Sequence, residues 1–402
     1  MDKNRTKVLV TGHDLKFWYP LQQALEETGE FEFREDVWKG HDSHDDLSRT
    51  DALLQWADVV VAEWALGNAV YCSRRKRADQ KLIIRFHLQE RVTEFPLHID
   101  YPNVDGIVFV CEHIRREAVG KFGIPESTSM VVGNIVDYPR FVLSKMGGCF
   151  FNLGVLGVVP SRKRMDQALD VLRILLEHDP NFMLHIKGPS PQSYPWLWAR
   201  TKEREYYERV FREVNSGDLR YHVVFDPHGD DVPQWLRKVG FILSPSDFES
   251  FHMAVAEGAS SKSIPVLWNW EGSQAIYPAM QTVSSPAEAA RWILTMGASS
   301  AGERYAEQVS GQIKAMYGRE VIRDAWRDLL LGGPHNVLPD ELIHADGATR
   351  RLLIVYGIDE WATFHRREML LALAGHLDEW DILVIEPGSH YRTLLEKQKC
   401  PQ

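Results

Sequence analysis

Apolar positions along this chain fall into short β-branched runs, and between the runs lie segments whose apolar residues recur at helical spacing. "KVLVTG" (Lys7 to Gly12) predicts a buried strand that feeds a glycine loop. "FWYPLQQALEETG" then predicts a helix that stops at Gly29. "ADVVVAEW", "KLIIRFHL" and "VDGIVFVCE" are further strand-like runs, and "STSMVVGNIVD" (Ser127 to Asp137) reads as the last strand of this half. Strands alternating with helices at this spacing predict βαβ units and a parallel sheet.

The pattern then restarts. "CFFNLGVLG" (Cys149 to Gly157) is a strand into a glycine loop, and "MDQALDVLRILLEHDP" (Met165 to Pro180) is an amphipathic helix. "NFMLHIKG", "YHVVFD", "GFILSP" and "IPVLWNW" are strands, with "DVPQWLRKV" a helix among them. The expected organisation is two doubly wound α/β domains, 1–145 and 146–331, facing each other across a cleft where a ligand can sit. Residues 332–349 are rich in Gly, Pro and polar side chains and read as a linker. Residues 350–402 begin the strand–helix–strand pattern once more, in a segment too small for a comfortable independent domain.

Composition narrows the class. With 402 residues, 44% hydrophobic and 25% charged, the chain is an ordinary globular protein of two or three domains. Its net charge of −10 argues against a nucleic-acid binder, which carries a basic footprint. No apolar run reaches the roughly 18–20 residues that span a bilayer. The four cysteines stand without any C-x-x-C pair, which argues against a zinc site or a disulfide framework and suits a reducing cytoplasm. Two local basic clusters, "YCSRRKRADQK" (Tyr71 to Lys81) and "IRREAVGK" (Ile114 to Lys121), read either as solvated helix faces or as contacts to anionic headgroups at a membrane surface.

The candidate chemistry lies in "SPSDFESFHMAVAEGASSKSIPVLW" (Ser244 to Trp268), where Glu249 and Glu257 stand eight positions apart. Eight residues are about two helical turns, so the two acids share roughly one face. Ser250 to Met253 fall where a loop becomes a helix, and free backbone N–H groups there suit a diphosphate. Taken alone, the spacing is equally that of an amphipathic helix with two incidental acids.

The whole run resembles the E-x7-E motif of glycosyltransferase family 4, the large retaining family with the GT-B fold. Pro245, Ser246, Glu249, Phe251 and Glu257 match, as does Ile264-Pro265-Val266 after the helix. Ser250, His252 and Ser263 stand where the family has glycines. A second likeness is "GVVPSRKRMDQAL" (Gly157 to Leu169), in which Lys163 takes the phosphate-binding lysine position and Asp166 the later acid. Val158 replaces the family's arginine, which leaves Arg162 or Arg164 to supply a second cation. A third is "MVVGNIVDYPRF", where Asn134, Val136, Asp137 and Phe141 match the end of the family's first domain. The likeness covers roughly residues 5–330.

The resemblance implies a retaining transferase that moves a sugar from a UDP- or GDP-linked donor to a hydroxyl of a glycan or glycolipid. Cell-envelope polysaccharide synthesis, in the cytoplasm or at the inner face of the membrane, is the implied setting. Glu249, Lys163 and His87 are the implied catalytic residues. Glu257, Ser250, Phe251, His252, Met253, Arg162, Arg164, Gly188 and Gly12 are the implied donor contacts, with Glu257 on the ribose. His13, Asp14 and Lys16 flank the acceptor-side loop, and backbone around Phe225 to His228 would edge the base. No D-x-D triplet follows a strand, so neither a metal nor a further cofactor is expected. The tail resembles the opening of another glycosyltransferase domain, which implies a tandem enzyme continuing beyond Gln402. Two alternatives stay open: a non-catalytic nucleotide-sugar or glycan-binding module, and a nucleotide-sugar epimerase on the same fold.

Overall fold

Val59 to Glu63 is buried at every position, as a parallel strand covered on both faces must be. It is the third of six parallel strands in the first half: β1 (Thr6–Gly12), β2 (Phe31–Val37), β3 (Val59–Glu63), β4 (Lys81–Phe86), β5 (Gly106–Phe109) and β6 (Ser129–Val131). Their order in the sheet is β2-β1-β3-β4-β5-β6. The second half repeats the plan with β7 (Asn152–Leu156), β8 (Met183–Lys187), β9 (Val223–Asp226), β10 (Phe241–Ser244), β11 (Ile264–Trp268) and β12 (Thr282–Val283), in the order β12-β11-β10-β7-β8-β9. The computed structural model describes residues 5–332, 351–356 and 380–385. Two parallel sheets flanked by helices are the doubly wound α/β architecture expected from the sequence.

Each order contains one reversal. The chain leaves β1 toward β2 and returns to add β3 on β1's other side; it leaves β7 toward β8 and β9 and returns to add β10 on β7's other side. At such points the loops after two neighbouring strands diverge and open a crevice at the carboxyl ends of the sheet. Helix Met165–Leu176 packs Met165, Ala168, Leu169, Val171, Leu172 and Leu175 inward, the stripe predicted by its spacing.

Pro265 sits inside β11, where a missing N–H normally breaks a sheet. The Ile264 amide donates to Gly240 across the β10 side. The next residue's nitrogen therefore faces β12, which pairs only with Leu267 and Trp268. No ladder bond is lost at Pro265.

The last helix of this body, Arg319–Leu331, packs on the first half. It buries Ile322, Trp326, Leu329 and Leu330. Trp326 meets Trp18 edge-on at 5.4 Å, Arg327 pairs with Glu30, and Lys81 Nζ donates to the Leu329 carbonyl at 3.0 Å. The chain thus crosses back and ties the two halves into one unit, Met1–His335. A separate unit, Asn336–Gln402, has two described strands, β13 (Arg351–Tyr356) and β14 (Trp380–Ile385), paired in parallel in register. The linker expected at 332–349 lies, Gly332 apart, outside the described residues, as does the helix expected between β13 and β14.

The cations of the first basic cluster are largely internal braces. Arg77 donates to the carbonyls of Leu54, Gln55 and Ala57 and so closes the end of helix Leu47–Trp56. Lys76 pairs with Asp105 at 2.7 Å, and Arg74 donates to the His98 carbonyl. Among the described residues no helix is long and apolar enough to cross a membrane.

Trp326 is fully buried between the last helix and the first half. Trp326→Ala is expected to lower stability by about 3–5 kcal/mol, the usual cost of removing a large core aromatic, as read by denaturant unfolding of the whole chain.

Candidate functional site

β7 and β10 are neighbours, with Phe241 opposite Leu153 and Ile242 opposite Gly154, so the loops that follow them face each other. They are stitched together: the Asp247 amide donates to the Arg162 carbonyl at 2.8 Å. Lys163 Nζ then donates to Glu249 Oε1 at 2.6 Å, and Ser246 Oγ donates to the same oxygen at 2.8 Å. The Arg162 guanidinium lies 3.4 Å from Glu249 Oε2 and donates to the Phe248 carbonyl. Glu249 is only 4% exposed. Burial pushes its carboxyl up, but His252, Lys163 and Arg162 outweigh burial and hold it at about 2. Burial with the neighbouring Lys163 drives His252 down to about 3, so near neutral pH the two cations carry the effect. The Lys163 ammonium is pushed down by burial, with Glu249 pulling the other way.

The second cation comes from Arg162. Val158 is buried and its carbonyl accepts from Tyr207 Oη at 2.6 Å. Arg164 takes a left-handed turn (φ 53) before helix Met165–Leu176. That turn sends its guanidinium to Asp166 and Asp247, each at 2.9 Å, and it does not line the cleft.

Helix Met253–Ser260 starts directly after His252, whose backbone is also left-handed (φ 56). The Ser250, Phe251, His252 and Met253 amides donate to no acceptor among the described residues, and all four residues line the cleft. The carbonyls behind them are taken by Tyr277 Oη, at 2.7 Å from Phe251 O and 3.3 Å from His252 O. The Phe251 ring anchors the loop between Tyr277 and Tyr317. The result is an anchored turn whose four N–H groups are left without an acceptor among the described residues at the cleft. The helix begins only at Met253, so Glu249 lies in the loop before it and the single helix face expected for both acids is not formed; Glu257, about one turn into the helix, also lines the cleft, with no side-chain hydrogen bond among the described residues. Burial raises its carboxyl to about 7 against the pull of Arg140.

The facing wall comes from the first half. His87 follows β4, and its ring is held between Phe17 (5.2 Å) and Trp64 (4.2 Å). His87 Nε2 bonds the buried Glu63 at 2.9 Å, and Glu63 also meets Arg85 at 3.3 Å. Burial pushes Glu63 up, but Arg85 and His87 hold it below its usual range. Arg85 continues to Asn134 Oδ1 at 2.8 Å. Trp64 has φ 76, a strained value for a side chain this large, and donates its indole N–H to the Asp14 carbonyl. His113, on helix Glu112–Phe122, donates to the Glu249 carbonyl at 2.8 Å across the two halves.

Together these walls enclose a cleft of about 1030 Å³. It brings together Lys163, Arg162, Glu249, Ser250, Phe251, His252, Met253, Glu257 and His87. Gly12 and Gly188 lie off it, as do His13, Asp14 and Lys16. Gly12 has a packing role: a Cβ there would stand 2.6 Å from the Glu63 carbonyl oxygen. The segment from Phe225 to His228 also lies off the cleft; Lys187 Nζ holds the Pro227 carbonyl at 2.7 Å. Residues that sequence reasoning did not single out are Trp196, Arg200 and Glu203 on one side and His41, Trp64 and Arg91 on the other. Trp196 is half exposed with Arg200 stacked 5.1 Å from its ring. "SYPWLWAR" has a cluster of aromatics in a Pro-rich turn, the one signal that could have marked it.

This is the GT-B fold. The sequence matches no family model and no curated protein. In structure the chain is similar to HepE of Anabaena, solved with UDP: TM-score 0.65 at 12% identity, over 81% of this chain and all of that one (100%). It is similar also to a glycosyltransferase from Rickettsia africae, with TM-score 0.62 at 10% identity over 82% of this chain and 98% of that one. Sucrose-phosphate synthase of Thermosynechococcus elongatus gives 0.61 at 13% identity, over 82% and 100%.

The Lys163–Glu249 pair has a pH signature. The folded Glu249 carboxyl sits at about 2 against an ordinary 4.5, so its stabilisation is complete above pH 4.5 and is lost as pH falls toward 2. Lys163→Met keeps volume and removes the charge. It is expected to cost roughly 1–3 kcal/mol at pH 7, and the gap from wild type should narrow below pH 4.5 and close only near pH 2, as read by denaturant unfolding at pH 7, 5, 3 and 2.

Proposed function

We propose that the protein is a glycosyltransferase that takes its sugar from a nucleotide diphosphate sugar. One observation carries the reading: two cations, four N–H groups without an acceptor among the described residues and two carboxylates of opposite character meet on one cleft between two Rossmann-like halves. Cations and helix N–H groups suit a diphosphate. Glu257, a carboxylate with no hydrogen-bond partner among the described residues, suits the ribose hydroxyls. The neighbours solved with UDP and with UDP-glucose have the same fold, which supports the donor class.

In the proposed reaction the donor lies along the second half, with its diphosphate on Lys163, Arg162 and the Ser250–Met253 turn. Lys163 then exchanges its Glu249 partner for phosphate as the leaving group gains charge, and Glu249 turns to the donor sugar. The acceptor hydroxyl of a glycan or glycolipid approaches from the wall of Phe17, Trp64 and His87. Its proton passes to the departing phosphate, on the same face as the bond that breaks, so configuration is retained. Charge compensation by Lys163, Arg162 and the N–H groups makes a metal unnecessary. A cell-envelope polysaccharide, made at the inner membrane face, is the proposed product. A second reading, a nucleotide-sugar-binding module without turnover, is favoured by the engagement of both Glu249 oxygens before any ligand arrives.

The readings separate in one experiment. Thermal shift against UDP, GDP and their sugars should show stabilisation by one nucleotide series; indifference to all of them sinks the donor site. Glu249→Ala should abolish transfer while the nucleotide still stabilises the fold. A wild-type protein that binds but neither transfers nor hydrolyses any donor is the binding module.

Affinity should also depend on pH. Glu257 sits at about 7 rather than 4.5, and ribose hydroxyls donate to its ionised form, so donor binding expels a proton below pH 7. Affinity for a nucleotide diphosphate sugar is expected to rise roughly tenfold from pH 6 to 8, and Glu257→Gln should flatten the profile. Isothermal titration at the two pH values checks both.

A further inference from the structure

Residue 252 carries a side chain where the backbone favours none. Its φ of 56 and ψ of 72 lie in the left-handed region, which glycine enters without steric cost. The ring is nevertheless held with care. His252 Nδ1 lies 2.6 Å from Ser244 Oγ, and Trp270 Nε1 donates to that same oxygen at 3.2 Å. An indole only donates, so Ser244 accepts from Trp270; its own buried hydroxyl proton has no other acceptor among the described residues and goes to His252 Nδ1. The ring's single proton is thereby fixed on Nε2.

His252 Nε2 makes no hydrogen bond among the described residues, although the residue is only 9% exposed and lines the cleft. It lies 4.0 Å from Glu249 Oε1, the oxygen that Lys163 Nζ holds at 2.6 Å. Lys163 Nζ and His252 Nε2 thus flank the same carboxylate oxygen, in the same corner of the cleft. Burial and the adjacent Lys163 keep the ring neutral at pH 7. It can donate there without adding repulsion to Lys163 and Arg162, and a fixed N–H is directional where an ammonium is not.

We propose that the His252 side chain is a hydrogen-bond donor to the terminal phosphate of the bound nucleotide diphosphate, with Ser244 as the residue that positions its proton. The inference rests on the reading of the cleft as a nucleotide-sugar site. It adds a contact made by the imidazole itself, beyond the backbone N–H groups of the turn.

The test is isothermal titration of the full chain with UDP, UMP, GDP and GMP, beside thermal unfolding. His252→Gly restores the residue the backbone prefers. For whichever diphosphate binds wild type, its affinity should fall about tenfold or more, as for loss of a charge-assisted hydrogen bond. Affinity for the matching monophosphate should change by less than about twofold, and Tm should hold or rise. Ser244→Ala should lower diphosphate affinity by less, and should add nothing in the His252→Gly background. Unchanged diphosphate affinity in His252→Gly overturns the proposal, and so do equal losses for di- and monophosphate. Wild-type protein that binds none of the four nucleotides overturns the reading of the cleft instead.

Discussion

The ion pair between Lys163 and Glu249 is the contact on which the site depends, and it exists because β7 and β10 are adjacent while the residues between them wind away and back. No local propensity brings residue 163 beside residue 249. The sheet does, by aligning two carboxyl ends and letting their loops meet. A pair this buried is stabilising only when its remaining lone pairs are satisfied. Ser246 and Arg162 satisfy those of Glu249, and the two loops are then one rigid object. Any anion that enters must compete with a carboxylate already in position.

The first half repeats the logic with different residues. At its own reversal, between β1 and β3, Glu63 is enclosed by Arg85 and His87, and Gly12 lets the strand ends approach. The network stiffens the floor under Phe17, Trp64 and His87. Two links then register one half on the other. His113 holds the Glu249 carbonyl, and helix Arg319–Leu331 returns from the second half to pack Trp326 on Trp18. The loop that carries Glu249 is thus fixed from both domains, which limits how far they can part without releasing Glu249.

The individual strands, the two-half plan and the location of the acidic motif were legible because each rests on local signals: β-branched runs, helical periodicity and fixed spacing; the order of strands within each sheet was not. Identity of the second cation was not. Arg162 and Arg164 are two positions apart and chemically equal in the sequence. A left-handed turn at Arg164, with Asp247 arriving from a loop 83 residues later, decides between them. Gly12, expected as a donor contact, lies off the cleft and is a packing glycine, since its neighbour Glu63 comes from another strand. His113 enters through tertiary folding alone. The cluster of cations at residues 74–77 looked like a surface patch, yet Arg77 and Lys76 are tied to carbonyls and to Asp105.

The two acids of the motif share the cleft and little else. Glu249 sits in the loop before the helix and is held ionised by cations, while Glu257, one turn into the helix, is raised to about 7 by burial and finds no hydrogen bond of its own among the described residues. When environment pushes two neighbouring carboxyls apart in this way, their tasks differ. A carboxylate at about 2 stays charged in any physiological state, so in the proposed reaction it answers a developing positive charge at the donor sugar without first losing a proton. In the same proposal a carboxyl near 7 receives hydroxyl groups that reward ionisation only when they arrive. The same division explains why the left-handed turn between them tolerates a histidine. The turn must present N–H groups beside the fixed charge, and an imidazole whose proton is locked by Ser244 presents one more.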